Sequence, residues 1–174
     1  MNIIEIFTKS LFLIISFDGD LWEIIILSLY VSISALIIAS ILGLLIGYYL
    51  ALKKFLFKSF ILIVLNSLMG IPPVVVGLIV YFLFASGGPL GVLQLLYTPT
   101  AMIIAQVIII FPIVTSISHE IFDQNWREYK DQLRSINMPF FGVAFIITKH
   151  SYFLVITALL SAFGRAISEV GAVM

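Results

Sequence analysis

Cysteine is absent from this chain, which excludes disulfides and thiolate metal sites without fixing a compartment. Histidine occurs only as His119 and His150, too far apart in sequence to suggest a histidine-rich metal site. No G-x-x-x-x-G-K-S/T phosphate loop is present, and no cluster of His, Cys or paired carboxylates suggests a catalytic centre. A hydrolase or other integral membrane enzyme is therefore a poor reading, and no cofactor is expected on this chain. Charge is scarce as well. Charged residues make up 10% of the chain, and nine cations balance nine acids, so overall charge gives no reason to expect nucleic acid.

What fills the space is apolar. Hydrophobic residues make up 62% of the sequence, and mean hydropathy is +1.22. Soluble domains carry about 45–50% apolar and about 25% charged residues. A water-soluble fold of 174 residues with this composition lacks the polar side chains to cover its surface. The bilayer must supply the solvent, and the expected fold class is all-α, a polytopic transmembrane helical bundle, because open strands in lipid leave backbone groups unpaired. Crossing about 30 Å of hydrocarbon takes roughly 20 apolar residues. Four stretches qualify, at about 22–52, 59–85, 100–118 and 152–170, within a single membrane domain that occupies 1–174. The run Leu11–Phe17 is marginal for a signal-peptide core, and no small-residue cleavage site follows it, so a short interfacial segment is expected there.

Positive charge orients the spans. Lys53, Lys54 and Lys58 separate the first two, while Arg127, Lys130, Arg134 and Lys149 separate the last two. The connection between the second and third is uncharged. Seven of the nine cations thus fall on one side, which the positive-inside rule makes cytoplasmic, with the N-terminus outside.

Three features interrupt the apolar text. Pro72 and Pro73, behind Gly70, remove two backbone donors, so the second span should kink or break in mid-membrane. A packing kink and a broken helix lining a polar pathway both fit that pattern. Between the third and fourth spans, a segment assigned to 119–150, Phe122, Trp126, Tyr129, Leu133 and Ile136 recur at steps of four, three, four and three. They define one face of an amphipathic helix that should end before Pro139. Such a helix either lies on headgroups or docks its apolar face on the membrane domain and shows charge to a soluble partner. Finally, Arg165 and Glu169 intrude into the last span, about 20 Å from its start at Tyr152. They can form an intrahelical or intersubunit ion pair, line a pathway that attracts an anion, or sit exposed in a loop.

The order of these parts resembles the permease subunits of bacterial ABC importers, whose cytoplasmic loop carries an EAA-type motif. Its E-A-A falls on Asp131, Gln132 and Leu133, and its glycine on Asn137, which departs from the pattern. The downstream I-x-L-P falls on "ITKH", where Ile147 agrees. The stretches "MGIPPVVVGLIVYFLF", "SGGPLGVLQLLYTPTAMIIAQ" and "FGRAISEVGAVM" are similar to the tungstate branch of that family, a relative of the molybdate permeases. The resemblance implies an importer permease in a bacterial or archaeal cytoplasmic membrane, translocating an oxyanion, with tungstate favoured over molybdate. A periplasmic or lipoprotein binding protein, a separate ATPase subunit and a second permease copy are the implied partners, besides membrane lipid. Trp126, Tyr129, Asp131, Gln132, Leu133 and Asn137 take the ATPase-coupling role under it. Arg165, Glu169, Pro72 and Pro73 take the translocation pathway. Relatives of this pattern continue into a further span, so a fifth crossing is expected beyond residue 174. A channel-like or secondary-carrier subunit that needs no ATPase remains the competing class.

Overall fold

The computed structural model describes residues 19–173, so the expected interfacial segment at Leu11–Phe17 lies outside the described residues. The described chain is α-helical, without strands: α1 (Gly19–Leu52), α2 (Lys58–Leu68), α3 (Pro73–Phe84), α4 (Pro99–Ser135), α5 (Phe140–His150) and α6 (Tyr152–Val173). A 3-10 turn at Gly91–Leu93 punctuates the uncharged connection between α3 and α4. α1, α4 and α6 are long and apolar enough to cross a membrane, and α2 with α3 supplies a fourth crossing if the pair counts as one.

That pair bends by 100° at the tandem proline. α2 ends where Pro72 and Pro73 offer no donor, and Pro73, with its φ already helical, opens α3 as its first residue. The expected discontinuity is thus a full break.

The third span does not stop near Ser118. α4 carries the amphipathic segment as its own continuation, 37 residues in one helix, about 55 Å at 1.5 Å per residue. That length exceeds the hydrocarbon by several turns, so the charged run from Glu120 onward leaves the apolar layer without the helix having to end.

Size selects the packed faces, since polarity cannot. α1 is apolar on all sides, with Ile26, Ile41 and Leu45 turned outward. Its buried face is a ladder of small residues every fourth position: Ala35, Ala39, Gly43, Gly47 and Ala51. In a bilayer the outside is as oily as the core, so close backbone approach drives association. A Cβ on Gly43 would lie 2.8 Å from Val114 Cγ1, and one on Gly47 would lie 2.9 Å from the Thr115 carbonyl oxygen. The Ser118 hydroxyl donates to the Gly43 carbonyl at 3.3 Å across the same seam. Gly43 meets Val114 and Gly47 meets Ser118, so α1 and α4 run in the same direction. α6 lays a second small-residue ladder, Ala158, Ala162 and Ala166, against α4 beside α1, running in the opposite direction.

Three hydrophobic clusters follow α4 from end to end. Near its start, Ala101, Ala105 and Ile109 pack on Val76, Val80 and Phe84 of α3. At its middle, Ile110, Ile113 and Val114 meet the alanines of α1 and α6. At its far end, Ile121, Phe122 and Leu133 close over Tyr48, Val143, Ile147 and Val155.

Candidate functional site

The far end of α4 folds into an elbow. The helix runs out at Ser135, and Asn137 takes φ +48°, the left-handed conformation that a glycine adopts freely and asparagine tolerates best among the rest. The Met138 amide then donates to the Leu133 carbonyl at 3.3 Å, closing a Schellman-type cap. Met138 packs into the same cluster as Leu133, which supplies the apolar contact that accompanies such caps. Asn137 thus sits in a conformation that a glycine at this position would also adopt without strain. Pro139, extended, starts α5 in the new direction.

α5 packs back on the elbow through Val143 and Ile147. The rings of Tyr129 and His150 lie 5.1 Å apart, tying the last turns of α4 to the end of α5. Phe122, Trp126, Tyr129 and Leu133 all turn toward this core, as one apolar face docked on the membrane domain. Ile136 does not join them. It lies past the last helical residue, where the helical spacing no longer applies, and is 62% exposed. Trp126, Leu133 and Asn137 line one cavity of about 260 Å³ with Met138 and Val143. Asp131 and Gln132 are exposed. The surface that α5 leaves outward carries Phe141, 84% exposed, and Phe145, 70% exposed.

Arg165 and Glu169 sit far along α6 from this elbow. Arg165 Nη2 lies 3.7 Å from Glu169 Oε1, an i,i+4 ion pair with both side chains partly shielded. Around it, Thr157, Ser161 and Ser168 recur at steps of four, four and three with Arg165, and all three hydroxyls are exposed. Each donates to a carbonyl of its own helix, Thr157 to Phe153 at 2.9 Å, Ser161 to Thr157 at 2.8 Å and Ser168 to Arg165 at 2.9 Å. α6 therefore presents a polar face at membrane depth, beside its alanine ladder. Polar groups there normally face water or a partner rather than lipid. Gln106 of α4 reaches the same level, its Nε2 donating to the Ala166 carbonyl at 3.3 Å while its buried Oε1 has no hydrogen-bond partner among the described residues.

The Pro72–Pro73 break does not meet the Arg165 pair in one cavity. The space at the break, about 170 Å³, is lined by Leu68, Met69, Ile71, Ile108, Phe111 and Pro112 among others, all apolar. Met69 nonetheless packs in the middle cluster with Ala166, so break and ion pair share a level.

Sequence reading missed several residues. The Thr157–Ser161–Ser168 face carries a helical spacing that was legible but overshadowed by Arg165. Gln106 was a lone amide in an apolar run. Phe141 and Phe145 gave no signal, because the separate helix that exposes them begins only after the turn at Asn137.

A bundle of helices long enough to cross a membrane, one pair sharply broken, with an amphipathic elbow and a polar helix face, fits a membrane transport component. The chain belongs to the family of binding-protein-dependent transport system inner membrane components, whose model matches residues 39–173. It is 37% identical over 172 residues to the tungstate uptake system permease protein TupB of Peptoclostridium acidaminophilum, covering 99% of this chain and 75% of that protein. It is 37% identical over 147 residues to a probable anion ABC transporter permease protein of Haloferax volcanii, covering 84% of this chain and 63% of the relative. Identity to the TupB of Campylobacter jejuni is 29% over 168 residues, 97% of this chain and 70% of that protein.

Proposed function

We propose that this chain is the tungstate-translocating permease of an ABC importer, working as two copies with a separate ATPase subunit and an oxyanion-binding protein. Two relatives named as tungstate uptake permeases and one named as an anion permease support the substrate class. The observation that carries the mechanism is the exposed polar face of α6 with Arg165 at its centre. A guanidinium on that face attracts a tetrahedral oxyanion, Glu169 holds it in place, and the hydroxyls of Thr157, Ser161 and Ser168 line the rest of the route. Paired copies would bring two such faces together and shield them from lipid.

At the other end, α5 is the segment that enters the ATPase, with Phe145 and Phe141 outward. Trp126, Tyr129, Leu133 and Asn137 brace it from behind, and Asp131 and Gln132 flank it on the exposed side. Closure of the ATPase then moves α5 together with the adjoining end of α4. Pro72 and Pro73 serve the pathway by shaping the bend in its wall. The clustered cations support an elbow in the cytoplasm and a start of α1 outside.

The test is uptake into vesicles holding permease, ATPase and binding protein. Tungstate should accumulate with ATP and fail to do so without it, and molybdate should compete less well than tungstate. Uptake that persists without the ATPase subunit would overturn the reading in favour of a carrier or channel.

A further inference from the structure

We infer that Pro112, Asn66 and Asp123 are positioning residues for transport, dividing α2–α3 and α4 into two bodies that swing about one hinge. The inference rests on the reading that an ATPase drives the far end of α4.

The two bodies are fastened by different chemistry. In the first, α2 is pinned to the second half of α4 by two polar links. Lys58 Nζ lies 3.5 Å from Asp123 Oδ1, and Arg127 Nη2 holds Asp123 Oδ2 at 2.8 Å. Two turns nearer the middle, the Ser116 hydroxyl donates to Asn66 Oδ1. In the second body, α3 is pinned to the first half of α4 by apolar contact alone. Val76, Val80 and Phe84 interlock with Ala101, Ala105 and Ile109, in a cluster whose buried members come from no other helix.

Between the bodies, one member of the pair is broken, and the other, a single helix, lacks a backbone hydrogen bond at the same level. On one side lies the 100° break between Leu68 and Pro73. On the other, Pro112 inside α4 deprives the Ile108 carbonyl of its helical donor. Pro112 and Ile108 line the same cavity of about 170 Å³ as Leu68, Met69 and Ile71. Helix discontinuities absorb bending, close-packed clusters do not, and an empty space at the joint lets it move without overlap. A push on the α5 elbow therefore turns α2 with the second half of α4. α3 and the first half of α4 follow through the joint and through α6, which touches both halves of α4. Asp123 and Asn66 keep α2 from being left behind, and Pro112 keeps α4 from acting as a stiff rod.

The absence of cysteine lets spin labels be placed in pairs on otherwise unaltered protein. In the full complex in nanodiscs, pulsed electron resonance would read three exposed pairs: Phe60→Cys with Gln124→Cys, Phe82→Cys with Thr100→Cys, and Phe60→Cys with Phe82→Cys. Between nucleotide-free and ATP-bound states the first two distances should hold, while the third shifts on the order of 2–5 Å. In unlabelled complexes, Asp123→Asn and Pro112→Ala should each lower tungstate uptake about tenfold per ATP hydrolysed, with assembly retained. A merely structural role would instead reduce assembled complex and lower uptake and hydrolysis together. The inference is overturned if all three distances stay fixed, if all shift alike, or if both variants leave uptake per ATP unchanged. Wild-type complex without ATP-dependent uptake would defeat the importer reading, whereas wild-type uptake with an invariant Phe60–Phe82 distance defeats the hinge alone.

Discussion

Leu133 and Phe145 stand on opposite sides of the same elbow, and substituting each by alanine should produce opposite symptoms. Leu133 is 6% exposed among Phe122, Val143 and Ile147. Truncating a buried leucine costs about 2–5 kcal/mol. A cavity of about 260 Å³ already adjoins it, so its packing is incomplete and the lower end, about 2–3 kcal/mol, is the expected loss. Phe145 is 70% exposed, so Phe145→Ala should change the stability of the isolated permease by no more than about 0.5 kcal/mol. If α5 seats in the ATPase, an aromatic anchor there is worth about 2 kcal/mol or more, which is about 30-fold in affinity. Thermal unfolding of the purified permease, run beside titration of the ATPase subunit onto it, reads both quantities. Leu133→Ala should lower the unfolding temperature by several degrees. Phe145→Ala should leave it in place and weaken association. The reasoning fails if Phe145→Ala destabilises the permease as much as Leu133→Ala does. It fails equally if Leu133→Ala spares stability and weakens only association.

Other expectations follow from single positions. At Gly47 an added Cβ would meet the Thr115 carbonyl at 2.9 Å and the His119 amide nitrogen at 3.0 Å, backbone atoms that cannot swing aside. Gly47→Ala should therefore cost about 1–3 kcal/mol. Gly164 has no neighbour within 4 Å, so Gly164→Ala should raise stability by about 0.5–1 kcal/mol in the same unfolding assay. Asn137→Gly should preserve the elbow, and Asn137→Val should cost about 1–2 kcal/mol, since a β-branched residue resists positive φ. Equal stability of those two variants would remove the left-handed cap from the account. Arg165→Gln should slow tungstate uptake while the amount of folded permease, read by size-exclusion chromatography, is unchanged. Loss of folded protein instead would assign the Arg165–Glu169 pair to stability alone.

The membrane bundle was legible because composition and run length are one-dimensional quantities. The break at Pro72–Pro73 was equally legible, since missing donors act locally whatever packs around them. The continuity of α4 was not. Hydropathy falls at Ser118 as though a span had ended, yet the backbone ladder has no reason to stop where lipid does. The packed face of α1 was hidden for the opposite reason. With apolar residues all round, the sequence shows no stripe of hydrophobicity, and only the four-residue recurrence of Ala35, Ala39, Gly43, Gly47 and Ala51 marks the seam. Asn137 illustrates a third limit. As a letter it breaks the motif, but its backbone takes a conformation that a glycine there would also adopt freely.

These limits share a cause in the solvent. In water, polarity marks the outside and the eye follows it. In a bilayer, polarity marks the places where lipid is not, so each exposed polar group at depth asks what covers it. The hydroxyl face of α6 around Arg165 and the Asn66–Ser116 link are two such places. α4 touches the five other described helices and carries or faces both. A displacement begun at the elbow therefore cannot stay local. It reaches α6 through the alanine seam and the Gln106–Ala166 hydrogen bond, one residue from the guanidinium of Arg165. On the importer reading proposed above, α4 is the element that joins the α5 elbow to the Arg165 face of α6, and its length beyond the hydrocarbon lets it reach both.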